Sequence, residues 1–176
     1  MRKTSKYLFF WENASIFSQW NSKKEPNKDY QFIDEKNIKY SSCEQYMMYQ
    51  KAILFKDYDI AKEVLSLKDV KKIKALGRKV KNFDSNIWDK HKFNIIVNGN
   101  YLKFSQNKFF QDELLLYKNL IFVEASPYDK IYGVGLHYSD DLILDEKNWQ
   151  GENLLGKALN EVVKLLELDL NNNKHM

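Results

Sequence analysis

Ser41-Ser42-Cys43-Glu44-Gln45-Tyr46-Met47-Met48-Tyr49-Gln50-Lys51-Ala52, running on through Ile53 and Leu54 to Phe55, is the stretch whose reading decides the fold. Apolar side chains fall on every side of it, and a helix apolar all round is a buried one. It nevertheless carries Glu44 and Lys51, which are two turns apart and share one face. Pairs that neutralise each other on a helix are three or four residues apart, so these two do not form a simple ion pair. Charges on a buried helix need partners or a task. Two N-cap registers fit the start. In Ser41-x-x-Glu44 the carboxylate only caps the chain, whereas Ser42-x-x-Gln45 leaves Glu44 to face a cleft. Lys51 has its own plain reading, a stem laid along the core with its head in water.

Composition sets the frame around that helix. The chain has 176 residues, 44% hydrophobic and 15% aromatic, enough for one folded domain with a sizeable core rather than a disordered polymer. One domain is expected over residues 1–170, with a disordered tail at 171–176. No apolar run approaches a membrane span, and no apolar core follows Met1-Arg2-Lys3-Thr4-Ser5 as in a signal peptide. The single cysteine, Cys43, excludes an internal disulfide and fits a reducing cytoplasm. A net charge of +4 permits a phosphate-bearing or nucleic-acid ligand without requiring one.

In chain order, Lys6 to Trp11 reads as a strand and Asn21 to Lys36 as a polar loop around Pro26 and Asn27. A short strand at Ile38-Lys39-Tyr40 leads into the central helix, and Asp59 to Leu65 forms a short helix. Ser66 is read as the cap of a further amphipathic helix through Leu67, Val70, Ile73 and Leu76, with Gly77 at its C′ position and Arg78 beyond it. A helix begins at Asp84 or Ser85 and passes Trp88 towards Phe104. Gly99 inside it costs about 1 kcal/mol relative to alanine, so a bend or break is expected at Asn98-Gly99-Asn100. Lys108 to Tyr117 is helical, and Leu120 to Val123 is the clearest strand. Ser126-Pro127-Tyr128-Asp129-Lys130-Ile131-Tyr132-Gly133-Val134-Gly135 then makes a tight loop whose backbone can approach a ligand. Leu142-Ile143-Leu144 is ambiguous between strand and helix. The last helix opens around Trp149 to Gly156.

Several familiar sites are absent from the sequence. Gly133-Val134-Gly135 lacks the third glycine of a dinucleotide loop. His91, His137 and His175 lack metal-ligand spacing, and His137 with Asp140 and Asp141 reads as a solvated turn. Neither a metal nor a cofactor is expected. Cys43 reads as a small buried packer rather than a nucleophile.

Read together and in order, certain phrases match a known pattern. They are Phe17-Ser18-Gln19-Trp20, Tyr40-Ser41-Ser42-Cys43-Glu44-Gln45, Lys51-Ala52, Leu76-Gly77-Arg78, Trp88 and Lys103-Phe104-x-Gln106-Asn107. Further along come Glu124-Ala125-Ser126-Pro127-x-Asp129, Tyr132-Gly133-x-Gly135-Leu136 and Trp149-x-Gly151-x-Asn153-x-x-Gly156. This closely resembles the YbiA-like, or NADAR, family from about Phe9 to Leu168. The resemblance implies a mainly α fold with a few short β-strands, in one compact YbiA-like domain. It also implies an N-glycosidase acting on a bond between ribose C1 and nitrogen. Two substrate classes come with the family: phosphorylated ribosylamino-pyrimidine intermediates of riboflavin synthesis, and ADP-ribose attached to guanine in DNA. The second implies functional pairing with a DNA ADP-ribosyltransferase toxin. Two departures bear on the substrate: Gln19-Trp20 stands where the family has Asn-Phe, and Tyr132 where it has Trp.

The chemistry that the resemblance implies needs a fixed carboxylate and a placed water, because positive charge builds on the sugar ring. Glu44 and Asp129 are the expected carboxylates, with Glu124 a third candidate whose plainer role is a strand-end ion pair. Lys51, the third expected catalytic group, and Arg78 would hold phosphate or polarise the leaving group. Trp88 would stack on a base, against its plain reading as core. Ser18, Gln19, Tyr132, Gly133, Gly135 and Asn153 complete the expected substrate-binding set, with the N-terminus of the last helix favouring anions. The competing class is a module that binds ADP-ribose or nucleic acid without cutting it.

Overall fold

A computed structural model of the protein describes residues 1–25 and 28–173; Pro26 and Asn27 of the expected loop, and Lys174, His175 and Met176 of the expected tail, lie outside the described residues. It is mainly helical with a few short strands, as the resemblance implies. Two compact units share the chain, Met1–Ser18 with Asn107–Met176 and Gln19–Gln106.

The first unit is built on a three-stranded sheet in the order β1 (Arg2–Lys3), β2 (Tyr7–Phe10), β7 (Ile121–Glu124). Every residue of β2 is buried, which is why Tyr7-Leu8-Phe9-Phe10 shows no alternation: both faces of a central strand are covered. β2 pairs in parallel with β7, Leu8 opposite Phe122 and Phe9 opposite Val123. One face carries a core of Tyr7, Phe9, Val123, Ala125, Val134, Leu136 and Ile143. Among the described residues no further strand pairs with the outer edge of β7. Two asparagines do that work, Asn160 in the long helix α6 (Leu154–Asn173) and Asn153 just before it. Asn153 donates to the Phe122 carbonyl at 2.9 Å and accepts from Glu124 N–H at 3.0 Å. Asn160 accepts from Phe122 N–H at 3.1 Å and donates to the Leu120 carbonyl at 2.9 Å. An edge that would otherwise expose main-chain donors and acceptors is thus closed by side-chain amides. Gly156 permits the approach, since a Cβ there would stand 2.0 Å from the Phe122 carbonyl oxygen. The ambiguous Leu142-Ile143-Leu144 is one 3₁₀ turn, Asp141–Leu144, and α5 spans Lys108–Leu116.

In the second unit, helix α1 (Cys43–Leu54) packs against α2 (Tyr58–Ser66), α3 (Val70–Gly77) and α4 (Ser85–Ser105). The short strand pairs are β3 (Lys23–Glu25) with β4 (Lys28–Asp29), and β5 (Phe32–Ile33) with β6 (Lys39–Tyr40); β6 is the expected short strand, while β3, β4 and β5 lie in what reads from sequence as loop. Three sequence expectations change here. Ser66 ends α2 rather than capping the next helix; Asp69 caps α3 by accepting from the Lys71 and Lys72 N–H groups. Gly77 is not a left-handed C′ residue but the last residue of α3, and it is glycine because a Cβ would meet Met48 Sδ at 1.8 Å. α4 does not break at Gly99. The helix continues because Tyr46 lies where a Cβ would project, 2.6 Å away, and that packing outweighs glycine's poor propensity.

Candidate functional site

The register of α1 decides between the two possible caps. Ser42 is the N-cap, its hydroxyl accepting from Gln45 N–H at 3.1 Å, and Gln45 Oε1 accepts from Ser41 N–H at 2.7 Å. Gln45, not Glu44, therefore reaches back over the helix start, to the residue before the cap. The Gln45 amide also donates to the Val64 and Leu67 carbonyls, fixing the end of α2 to the start of α1. Glu44 is 3% exposed in the first helical turn, where the macrodipole favours a carboxylate. Its own N–H donates to the Gln19 carbonyl at 2.9 Å.

Two turns further, about 10 Å along the helix, Lys51 is half-buried. Its ammonium donates to the Gly77 carbonyl at 2.8 Å and lies 4.2 Å from the Phe83 ring centroid and 5.6 Å from that of Trp88. Burial lowers its pKa below the usual lysine value, and the negative charge of Glu44 works in the opposite direction. The two charges on α1 thus feel each other without forming an ion pair. Trp88 is 8% exposed near the start of α4, capped by Asp84. Arg78 follows Gly77 directly as the C-cap of α3 and is exposed. Phe83, in the polar run Lys81-Asn82-Phe83-Asp84, is a contact that sequence reading misses: nothing in that run marks it as a cation's partner.

Gln19 is buried, and its side chain is committed within this unit. It accepts from Asn100 Nδ2 at 3.1 Å and directs its own amide at Met47 Sδ, 3.7 Å away. Lys103, one turn beyond Asn100, has no exposed surface; burial pushes its pKa down to about 8, with the nearby Cys43 opposing. Cys43 itself is pushed up to about 11 by burial, as its reading as a packing residue requires.

The remaining expected residues belong to the first unit. Asp129 Oδ1 accepts from the Ile131 and Tyr132 N–H groups at 2.9 and 2.8 Å, shaping the loop it sits in. Glu124 ends β7, and its carbonyl takes Val134 N–H. Gly133 is required by crowding, since a Cβ would stand 2.8 Å from the Glu124 carbonyl; Gly135 is required by its φ of +72°. Residues 130–135 run along 150–155 in a ladder that includes Gln150 N to Val134 O and Asn153 N to Gly133 O. The first N–H groups of α6, from Leu154 and Leu155, donate to the Ile131 and Tyr132 carbonyls. They hold the loop instead of standing open to an anion. Ser18 is buried, its N–H donating to Ser15. His137, Asp140 and Asp141 are engaged separately, with Ser139, with Leu142 N–H and with Arg2.

The NADAR domain matches residues 9–167. N-glycosidase R617 of Acanthamoeba polyphaga mimivirus is 44% identical over 91% of this chain and 96% of its own length. Protein irg-1 of Caenorhabditis elegans is 36% identical over 91% of this chain and 79% of its own. The NMR structure of the E. coli protein YbiA superposes with a TM-score of 0.73 at 19% identity, covering 96% of this chain and 89% of that one, which establishes the fold. The match to the family domain, running through the α1 helix and the Asp129 loop alike, shows that this chain belongs to the NADAR family.

Proposed function

We propose that the protein is an N-glycosidase that hydrolyses a ribose C1–N bond, with Glu44 and Lys51 of α1 as its principal chemical groups. The observation that carries this reading is a carboxylate 3% exposed that the helix cap does not use, on the same helix as an ammonium ringed by Phe83 and Trp88. Family membership and the 44% identity to a relative named N-glycosidase support it. In the reaction the C1–N bonding pair leaves with the nitrogen, which takes up a proton. A water adds to C1 and gives up a proton. The ribosyl ring is cationic between these events, so a fixed anion in a water-poor setting stabilises it more than bulk water could. Glu44 meets that requirement. Lys51, kept cationic, polarises the leaving group or holds phosphate, and Arg78 is carried as a phosphate contact on the resemblance. Asp129 is carried as a second carboxylate on the resemblance alone.

Two substrates share that bond: ADP-ribose attached to guanine in DNA, and a phosphorylated ribosylamino-pyrimidine. Incubating the purified chain with each separates them. Release of ADP-ribose or of ribose 5-phosphate supports the enzyme and names its class. Retention of intact ADP-ribosylated DNA with a gel-mobility shift supports a binding module instead, and the absence of sugar release from both substrates contradicts the proposal.

A further inference from the structure

We infer that Asn100 is a positioning residue for Glu44, acting through Gln19; this rests on the reading of Glu44 as the reacting carboxylate. Asn100 has no exposed surface, and its amide makes three contacts within the second unit. Nδ2 donates to Gln19 Oε1 at 3.1 Å and to the Ile96 carbonyl of its own helix at 2.9 Å. Oδ1 faces Cys43 Sγ at 3.5 Å, and the same sulfur lies 3.6 Å from the Gly99 carbonyl. Gln19 in turn accepts Glu44 N–H on its main-chain oxygen and reaches Met47 with its amide. A donor at the start of a helix has no intrahelical partner. The orientation of the first turn of α1 is therefore set by whichever acceptor meets it, and here that acceptor is held by Asn100 from α4.

The tether has a set length: a long amide, Gln19, meets a short one, Asn100, end to end at 3.1 Å. A lost contact would let the Glu44 turn drift, and a displacement of about 1 Å at a reacting group can cost about 10²-fold in rate. Simple packing predicts something else: a loss of melting temperature with turnover per folded molecule unchanged.

The test is a length exchange. Gln19→Asn shortens one side of the pair, Asn100→Gln lengthens the other, and the double variant restores the total. Each single variant is expected to lower kcat by tenfold or more with KM changed less than twofold, and to speed amide hydrogen exchange at Glu44. The double variant should recover most of both. Single variants with unaltered kcat and unaltered Glu44 exchange overturn the inference, as does a double variant no better than the singles. A wild-type chain inactive on both substrates sinks the glycosidase reading instead, and Glu44 exchange then decides the tether by itself.

Discussion

The Lys51 ammonium lies 5.6 Å from the centroid of the Trp88 ring, with the Phe83 ring closer, at 4.2 Å, and the Gly77 carbonyl as its hydrogen-bond acceptor. Aromatic faces attract a cation but replace few of the hydrogen bonds that water would give it. The result is an ammonium whose pKa burial draws below 10.5. If the cation is the working form, activity is present at pH values below the folded pKa and is lost as pH rises through it. kcat/KM should therefore show an alkaline limb below pH 10.5, and Lys51→Arg should move that limb upward while Lys51→Met abolishes most turnover. A flat profile to pH 10.5 in the wild type would exclude Lys51 as the group responsible.

Trp88 is 8% exposed, so its removal tests two roles at once. Trp88→Ala should cost about 3–5 kcal/mol of stability, as large core truncations do. Trp88→Phe keeps an aromatic face beside Lys51 and should retain the fold while raising KM severalfold. Thermal melts with steady-state kinetics on the two variants separate the contributions. An unchanged KM in Trp88→Phe would make the indole a packing residue only.

Lys103 makes a prediction about stability rather than rate. Its folded pKa is about 8 against 10.5 for an ordinary lysine, so across that window the unfolded chain binds more protons and stability rises with pH, by at most about 3 kcal/mol. Cys43, pushed from 9 to about 11, does the reverse above pH 9, because there the folded chain binds more protons. The rise is therefore clearest between pH 8 and 9. Denaturant unfolding of wild type and Lys103→Met over that interval should show a positive slope in the first and a flatter line in the second. Parallel lines would mean that Lys103 does not titrate there.

Asp129 can be tested without dismantling its loop. Asparagine keeps the side-chain oxygen that accepts from Ile131 and Tyr132, whereas alanine removes it. Asp129→Asn should melt within a degree or two of wild type yet lose at least about tenfold in kcat, while Asp129→Ala loses stability as well. Full turnover in Asp129→Asn would leave the residue a loop-shaping role alone.

What can be read from the sequence divides by the range of the interactions involved. The all-round apolar pattern of 43–55 announces a buried helix because its cause is local and repeated. The fully buried β2 and the helical character of 85–104 are legible for the same reason. Gly77 and Gly99 are misread because their reasons, Met48 Sδ and the Tyr46 ring, come from another helix. Ser66 resembles a cap as well as Asp69 does, and only the position of the following helix selects between them. At the candidate site, Glu44 and Lys51 stand out as charges in apolar company. Phe83 and Asn100 do not, since an aromatic in a polar run and an amide inside a helix become informative only once a partner is seen across space. Asn153, an expected substrate contact, has both ends of its amide on β7, a role no local pattern announces.

The central claim is that the buried Glu44 carboxylate takes part in breaking a ribosyl C–N bond. The most direct measurement is single-turnover release of sugar by Glu44→Gln, a change of one charge at nearly constant shape, on whichever substrate the wild type cleaves. The account predicts a fall of at least about 10² in rate, with a thermal melt confirming that the variant is folded. Wild-type rates from a properly folded Glu44→Gln chain would contradict it.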